Sequence, residues 1–168
     1  MDILMQLPYR KPGKYTHLPN DPIMTGHKFA ELKKQLQQLK AKKPHAAAEV
    51  ARLAELGDFS ENVEYQQAKG RLRGILNAIT KIEFQLNQAE IIEKNNSGII
   101  EIGNTVTVEV DGKEKIYTIL GSSETDPTKG IISHTSPIGE ALLGKKIGEH
   151  IEMKLKNKLV QYTIIKMQ

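Results

Sequence analysis

Gly57-Asp58-Phe59-Ser60-Glu61-Asn62-Val63-Glu64-Tyr65 separates two apolar stripes that mirror each other. Ahead of it stand Phe29, Leu32, Leu36, Leu39, Ala46, Val50 and Leu53; after it stand Tyr65, Ala68, Leu72, Ile75, Ile79, Ile82, Leu86 and Ala89. Both stripes step by threes and fours, the seam period of a coiled coil. Pairing Phe29 with Ala89, Leu36 with Ile82, Val50 with Ala68 and Leu53 with Tyr65 keeps the sum of residue numbers constant. The chain therefore folds back at Phe59. The spacing predicts an antiparallel helical hairpin whose arms, at about 1.5 Å per residue over roughly 30 residues, reach on the order of 45 Å. Asp58, Glu61 and Glu64 fall at or near its far end.

Working outward, Thr25 is a suitable N-cap for a first helix running to Leu56. Pro44 interrupts that helix, but the stripe stays in phase from Leu39 to Ala46, so a kink or local break within one arm is expected. The second helix is expected to end near Glu93, before the polar stop Lys94-Asn95-Asn96-Ser97-Gly98. Residues 1–22, with Pro8, Pro12, Pro19 and Pro22, show no period and read as a flexible tail. Tyr9, Arg10, Lys11, Lys14 and Tyr15 in that tail could meet nucleic acid, although a solvated tail accounts for the composition.

Beyond Gly98 the period changes to alternation. Thr105–Val110 and Lys113–Leu120 flank Asp111-Gly112, a two-residue hairpin signal. The turn sets Val106 opposite Tyr117 and Val108 opposite Lys115, with Val106, Val108, Val110, Tyr117 and Ile119 on one face. Ser136-Pro137 reads as an N-cap and first helical residue, and Gly144 as the stop after Leu143. Ile151, Met153 and Leu155, then Val160, Tyr162 and Ile164, supply two further strands. The whole is an α+β chain with a helical hairpin at residues 23–96 and a small domain at 97–168.

The 168 residues carry a net charge of +4 and no cysteine, which rules out disulfides and thiolate metal sites. A reducing cytoplasm suits that composition. Ile3-Leu4-Met5 before Pro8 is too short for a signal peptide, and no apolar run approaches the ~18 residues of a membrane span. The basic excess lies in residues 1–96, while 97–168 balance to zero. This is a mild bias toward polyanions and not the basic face of a dedicated nucleic-acid binder. His17, His27, His45, His134 and His150 are scattered without zinc-ligand spacing, and no phosphate loop or nucleophile motif occurs.

Asp58 followed by Glu61 is a capping box, and Gly57 a helix stop, so the acidic segment has a purely structural explanation. Its position at an arm's end, the third acid Glu64 and the apolar Phe59 where little core exists favour a functional one. Carboxylate oxygens are Mg²⁺ ligands. Two alone hold the ion weakly, so the tip suits a metal site that another macromolecule partly supplies.

GDFSENVEY on a two-helix hairpin resembles the tip signature of the bacterial Gre transcript cleavage factors, the GreA/GreB family. Ile132-Ser133-His134-Thr135-Ser136-Pro137-Ile138-Gly139-Glu140-Ala141-Leu142-Leu143-Gly144-Lys145-Lys146 resembles the signature of their carboxyl-terminal domain. Together these cover residues 23–168 in order. The resemblance implies a coiled-coil amino-terminal domain and an FKBP-like carboxyl-terminal domain that docks at the mouth of the secondary channel of RNA polymerase. It implies a factor, not a free-standing nuclease, that stimulates the polymerase's own cleavage of backtracked RNA at the nascent 3′ end. Asp58 and Glu61 would be the catalytic pair, sharing Mg²⁺ with the polymerase, with no cofactor tightly bound by the chain itself.

Phe59, Ser60, Asn62, Glu64 and Tyr65 would shape the tip. Ser133, Thr135, Ser136, Pro137 and Ile138 would dock, although capping and core packing explain Ser136, Ile138 and Leu142 as well. Lys69, Arg71 and Arg73 could guide RNA, or form a solvated face. Three departures stand out: Thr135 replaces an acidic or amide residue, Lys28 a common glycine, and a 22-residue tail precedes the usual start near Met24. A cytoplasmic monomer with no membrane partner is expected. The rivals are a non-catalytic channel inhibitor of the same architecture, a prolyl isomerase and a plain adaptor. Asp58 and Glu61 argue against the first, the lack of aromatics beyond Tyr117 and Tyr162 in residues 97–168 against the second, and the acidic tip against the third.

Overall fold

The structure is a computed structural model that describes residues 21–55, 63–93, 97–155 and 158–168. Helix α1 spans Gly26–Glu55 and helix α2 spans Val63–Asn87. They lie antiparallel, and every residue of the two sequence stripes is buried or half-buried. Near the root, Met24, Leu32 and Ile82 form a buried cluster flanked by Phe29, Leu36, Leu39, Leu86 and Ala89. Farther out, Ala46, Leu53, Ala68 and Ile79 carry the seam. Burial of each large aliphatic chain contributes about 1.5–3 kcal/mol, and this apolar seam holds the hairpin. The exposed interhelical ion pairs, Lys40–Glu83 at 2.6 Å and Arg71–Glu49 at 2.8 Å, add little to it.

Pro44 lies inside α1 without ending it. The missing N–H removes one helical hydrogen bond, and the neighbouring Ala46, buried in the seam, keeps the helix in phase. The second helix, by contrast, stops at Asn87, short of the expected Glu93. Glu90 and Ile91 leave it to form strand β2, parallel to β1 at Ile23–Met24. The Glu90 N–H donates to the Pro22 carbonyl at 2.8 Å and the Ile92 N–H to the Met24 carbonyl at 2.9 Å. Two residues per strand leave no alternation to read, and this pairing competes successfully with two more helical turns. Asp21 and Pro22, assigned by the sequence to the tail, are thus tied into the fold.

The second unit is a five-stranded sheet in the order β5-β4-β3-β7-β6, formed by β3 (Thr105–Val110), β4 (Lys113–Leu120), β5 (Ile131–Ser133), β6 (His150–Leu155) and β7 (Lys158–Met167). β5 runs parallel to β4; the other neighbours are antiparallel. The predicted β3–β4 register is found, with Val106 opposite Tyr117 and Val108 opposite Lys115. Its turn places Asp111 at φ 50° and Gly112 at φ 72°, the left-handed pair that a two-residue hairpin demands. Helix α3, Pro137–Leu142, covers the face where Val106, Val108, Ile119, Leu142 and Ile164 are essentially inaccessible to solvent. β5 is not predicted by the sequence: three residues entering a parallel pair after two 3-10 turns give no periodic signal.

Candidate functional site

The tip residues Asp58, Phe59, Ser60, Glu61 and Asn62 lie outside the described residues. Their flanks are described: α1 reaches Glu55 and α2 resumes at Val63, so the segment joins the two helices at the end opposite their root. Glu64 is exposed in the first turn of α2, where a carboxylate is favoured by the helix dipole, and Tyr65 is half-buried against the seam. Among the described residues no group of three or more His, Asp or Glu side chains gathers to hold a metal.

The three basic residues beyond the tip separate. Lys69 and Arg73, four apart, share one helix face, and the Lys69 ammonium sits 5.9 Å from the centre of the Tyr65 ring. Arg71 turns the other way and meets Glu49 of α1 at 2.8 Å. Its charge is therefore partly matched within the hairpin, leaving Lys69 and Arg73 as the pair on a common surface.

The expected docking residues form one connected turn between β5 and α3. Ser136 caps α3: its Oγ accepts from the Gly139 N–H at 3.1 Å and donates to the Ser133 carbonyl at 2.6 Å. The Ser133 carbonyl also accepts from the Ser136 N–H at 3.0 Å. Gly139 is required by proximity, because a Cβ there would fall 2.2 Å from the Ser133 carbonyl oxygen. Ile138 packs on the sheet core. Thr135 and Pro137 are exposed and Ser133 half-buried, so the surface offered to a partner consists of hydroxyls and a proline ring.

Neither Ser122 nor His134 stands out in the sequence, yet His134 is part of this turn and Ser122, from the 3-10 turn Ser122–Glu124, hydrogen-bonds to it. The hydroxyls of Ser133 and Thr135 lie 2.8 Å apart, and that of Ser122 lies 2.9 Å from Ser133 and 3.4 Å from Thr135. His134 points toward the hairpin's root, its Nε2 2.9 Å from Asp21 Oδ2. The same oxygen accepts from the Ser122 N–H at 2.6 Å, and Asp21 Oδ1 from the Ile23 N–H at 3.0 Å. Burial of the Asp21 carboxyl by itself would raise its pKa; the hydrogen bonds from Ser122, Ile23 and His134 together outweigh that and hold it below the ordinary carboxylate value. Residues so far apart in the chain leave no signal in the sequence.

A second contact joins the two units. Glu124 accepts from the Thr25 N–H at 2.7 Å through Oε2 and from the Thr25 hydroxyl at 2.6 Å through Oε1. Thr25 Oγ1 in turn accepts from the Lys28 N–H at 3.1 Å, the cap expected for α1. Beside these contacts the backbones touch: a Cβ on Gly121 would stand 1.9 Å from the Ile23 carbonyl oxygen. The root of the arm is thus pressed against the 3-10 turn that follows β4, which itself hydrogen-bonds to the docking turn through Ser122.

Two family models match this chain, "Transcription elongation factor, N-terminal" over residues 22–91 and "Transcription elongation factor, GreA/GreB, C-term" over residues 94–168. It is 43% identical over 138 residues to transcription elongation factor GreA of Macrococcus caseolyticus, covering 80% of this chain and 87% of that protein. It is 38% identical over 150 residues to GreA of Bacillus cytotoxicus, covering 86% and 95%. Among solved structures, the GreA factor homolog 1 protein (Gfh1) of Thermus thermophilus aligns over 86% of this chain and 97% of its own, at 23% identity and a TM-score of 0.40. With both of its halves matched by the family models, the chain belongs to the GreA/GreB family of transcription elongation factors.

Proposed function

We propose that this chain is a transcription elongation factor that docks on RNA polymerase through the Ser133–Ile138 turn and sends its helical hairpin down the secondary channel to stimulate cleavage of backtracked RNA. One observation carries the reading. An acidic segment, Asp58 to Glu64, joins two helices at the end of a 30-residue arm whose other end is rooted beside the docking turn. Such a lever delivers negative oxygens to a place the globular unit is too wide to enter.

The donor set at the tip is two carboxylates, Asp58 and Glu61, and oxygen ligands of this kind suit Mg²⁺. With that ion bound between factor and polymerase, the joint site gains the positive charge that phosphodiester hydrolysis uses. The chain's own part is positional. Asp58 and Glu61 accept hydrogen bonds from the attacking water and aim it in line with the scissile bond, a contribution made by fixed charge and geometry. Phe59, Ser60, Asn62, Glu64 and Tyr65 hold the turn in shape. Lys69 and Arg73 draw RNA phosphates toward the arm.

Purified stalled polymerase with a 3′-extruded transcript tests this. Asp58→Asn and Glu61→Gln, whose new side chains are equally able to cap a helix, are expected to bind polymerase with unchanged half-saturation and to lose cleavage stimulation by about 10²-fold or more, the scale of removing a positioned catalytic group. Undiminished stimulation by Asp58→Asn would return the tip to a capping role.

A further inference from the structure

Among the described residues, two carboxylates, Asp21 and Glu124, carry the polar contacts between the arm and the docking unit. Asp21 belongs to the arm side and reaches Ser122 and His134; Glu124 belongs to the docking side and reaches Thr25. The contacts cross in opposite directions, and the Gly121 and Ile23 backbones touch beside them, so three points on the arm's root, at Asp21, Ile23 and Thr25, meet the docking unit. Both are held tightly. The Asp21 and His134 side chains are only 13% and 18% exposed, and each Glu124 oxygen has its own donor on Thr25.

We infer that Asp21 and Glu124 are positioning residues that form a two-point latch, fixing the direction of the arm relative to the docking turn before the factor meets its partner. The latch stands on these contacts, and its consequence rests on the function proposed above. An arm on the order of 45 Å long turns a root rotation of ~10° into a displacement of ~8 Å at its end. A tip that must enter a narrow passage while the other unit docks tolerates little of that. Asp21 also ties the latch to the turn itself, because its partner His134 sits between Ser133 and Thr135.

Pre-orientation has a specific kinetic signature. If only a fraction of free molecules points the arm correctly, apparent affinity falls by that fraction, while molecules that have docked with the arm inserted work normally. Weakening the latch therefore raises the factor concentration for half-maximal cleavage and leaves the rate at saturation alone. This is the reverse of the tip variants.

The absence of cysteine in the sequence allows two spin labels to be placed uniquely, at Gln37→Cys on the arm and Glu114→Cys on the docking unit, both exposed. Distances between them, measured in the free full-length protein, are expected to form one narrow distribution. Asp21→Ala/Glu124→Ala is expected to broaden it and to raise half-saturation about tenfold at unchanged maximal rate. Glu124→Gln is the conservative control: its amide oxygen accepts from the Thr25 N–H and its NH₂ donates to Thr25 Oγ1, so the distribution should stay narrow, whereas Glu124→Ala alone should broaden it. A narrow distribution in both Glu124→Ala and the double variant overturns the latch. The distance measurement needs no polymerase, so a wild-type protein that stimulated no cleavage would refute the proposed function while the distances still decided the latch.

Discussion

The Ser136 hydroxyl donates to the Ser133 carbonyl at 2.6 Å, and this bond fixes where β5 ends and α3 begins. The same oxygen takes the Gly139 N–H, so one side chain satisfies an otherwise unpaired helix donor and closes the turn. Ser136 thus shapes the docking surface from beneath, while Thr135 and Pro137 present it.

Replacing Ser136 with alanine removes both bonds. Loss of a cap costs about 0.5–2 kcal/mol, which for a domain this size lowers Tm by a few degrees. Polymerase binding is expected to weaken along with it. Thr135→Ala, by contrast, should leave Tm within about 1 °C, because its hydroxyl bonds lie at the exposed surface. Thermal melts of the two variants side by side separate a shaping residue from a presenting one.

Gly121→Ala forces a methyl against the Ile23 carbonyl oxygen, 1.9 Å from where its Cβ must lie. The two backbones have to part, at a cost of about 1–3 kcal/mol. Amide exchange reads the damage locally: the Thr25 N–H, which donates to Glu124, should exchange faster, while the Tyr162 N–H in the sheet keeps its protection. Equal loss at both amides would mean that the contact is not local to the arm's root.

Asp21 has a folded pKa below its ordinary 3.8. A group depressed in this way adds stability above its unfolded value, and that stability disappears as pH falls through the folded value. Asp21→Asn is therefore expected to be less stable than wild type by about 1–3 kcal/mol at pH 7, the scale of hydrogen bonds to a charged acceptor. The gap should persist down to about pH 5 and close below the ordinary 3.8. Denaturant midpoints across pH 2–7 for both proteins measure it; a gap independent of pH would assign the loss to packing.

Lys69 and Arg73 face one way and Arg71 the other, toward Glu49. If the first two attract RNA phosphates, Lys69→Ala/Arg73→Ala should flatten the salt dependence of half-saturation by roughly 0.7 per lost contact. Arg71→Ala should change it less, its charge being already engaged. The comparison is made by titrating salt in the cleavage assay, and an equal effect of Arg71→Ala would count against the assignment.

Much of this protein was legible in its residues because the signals were local and periodic. The hairpin seam repeats every three or four residues and survives Pro44, so the stripe positions from Phe29 to Leu86 lie in the two helices and are buried or half-buried, while Ala89 packs at the root just past the end of α2. Asp111-Gly112 dictated the β3–β4 register through turn geometry alone, and Ser136-Pro137 announced α3. The cap that shapes the turn before α3 was legible for the same reason, whereas a docking role for that turn is implied by the family resemblance alone. What only tertiary structure decided were pairings too short or too distant to leave a period. The two-residue β1–β2 ladder shortened α2, and the parallel β5 arose without alternation. Asp21 met His134 across 113 residues, and Thr25 met Glu124 across 99. Backbone geometry repeats along a chain and writes itself into sequence spacing. A contact between two single side chains brought together by the fold writes nothing there, and in this protein such contacts join the arm to the unit that carries it.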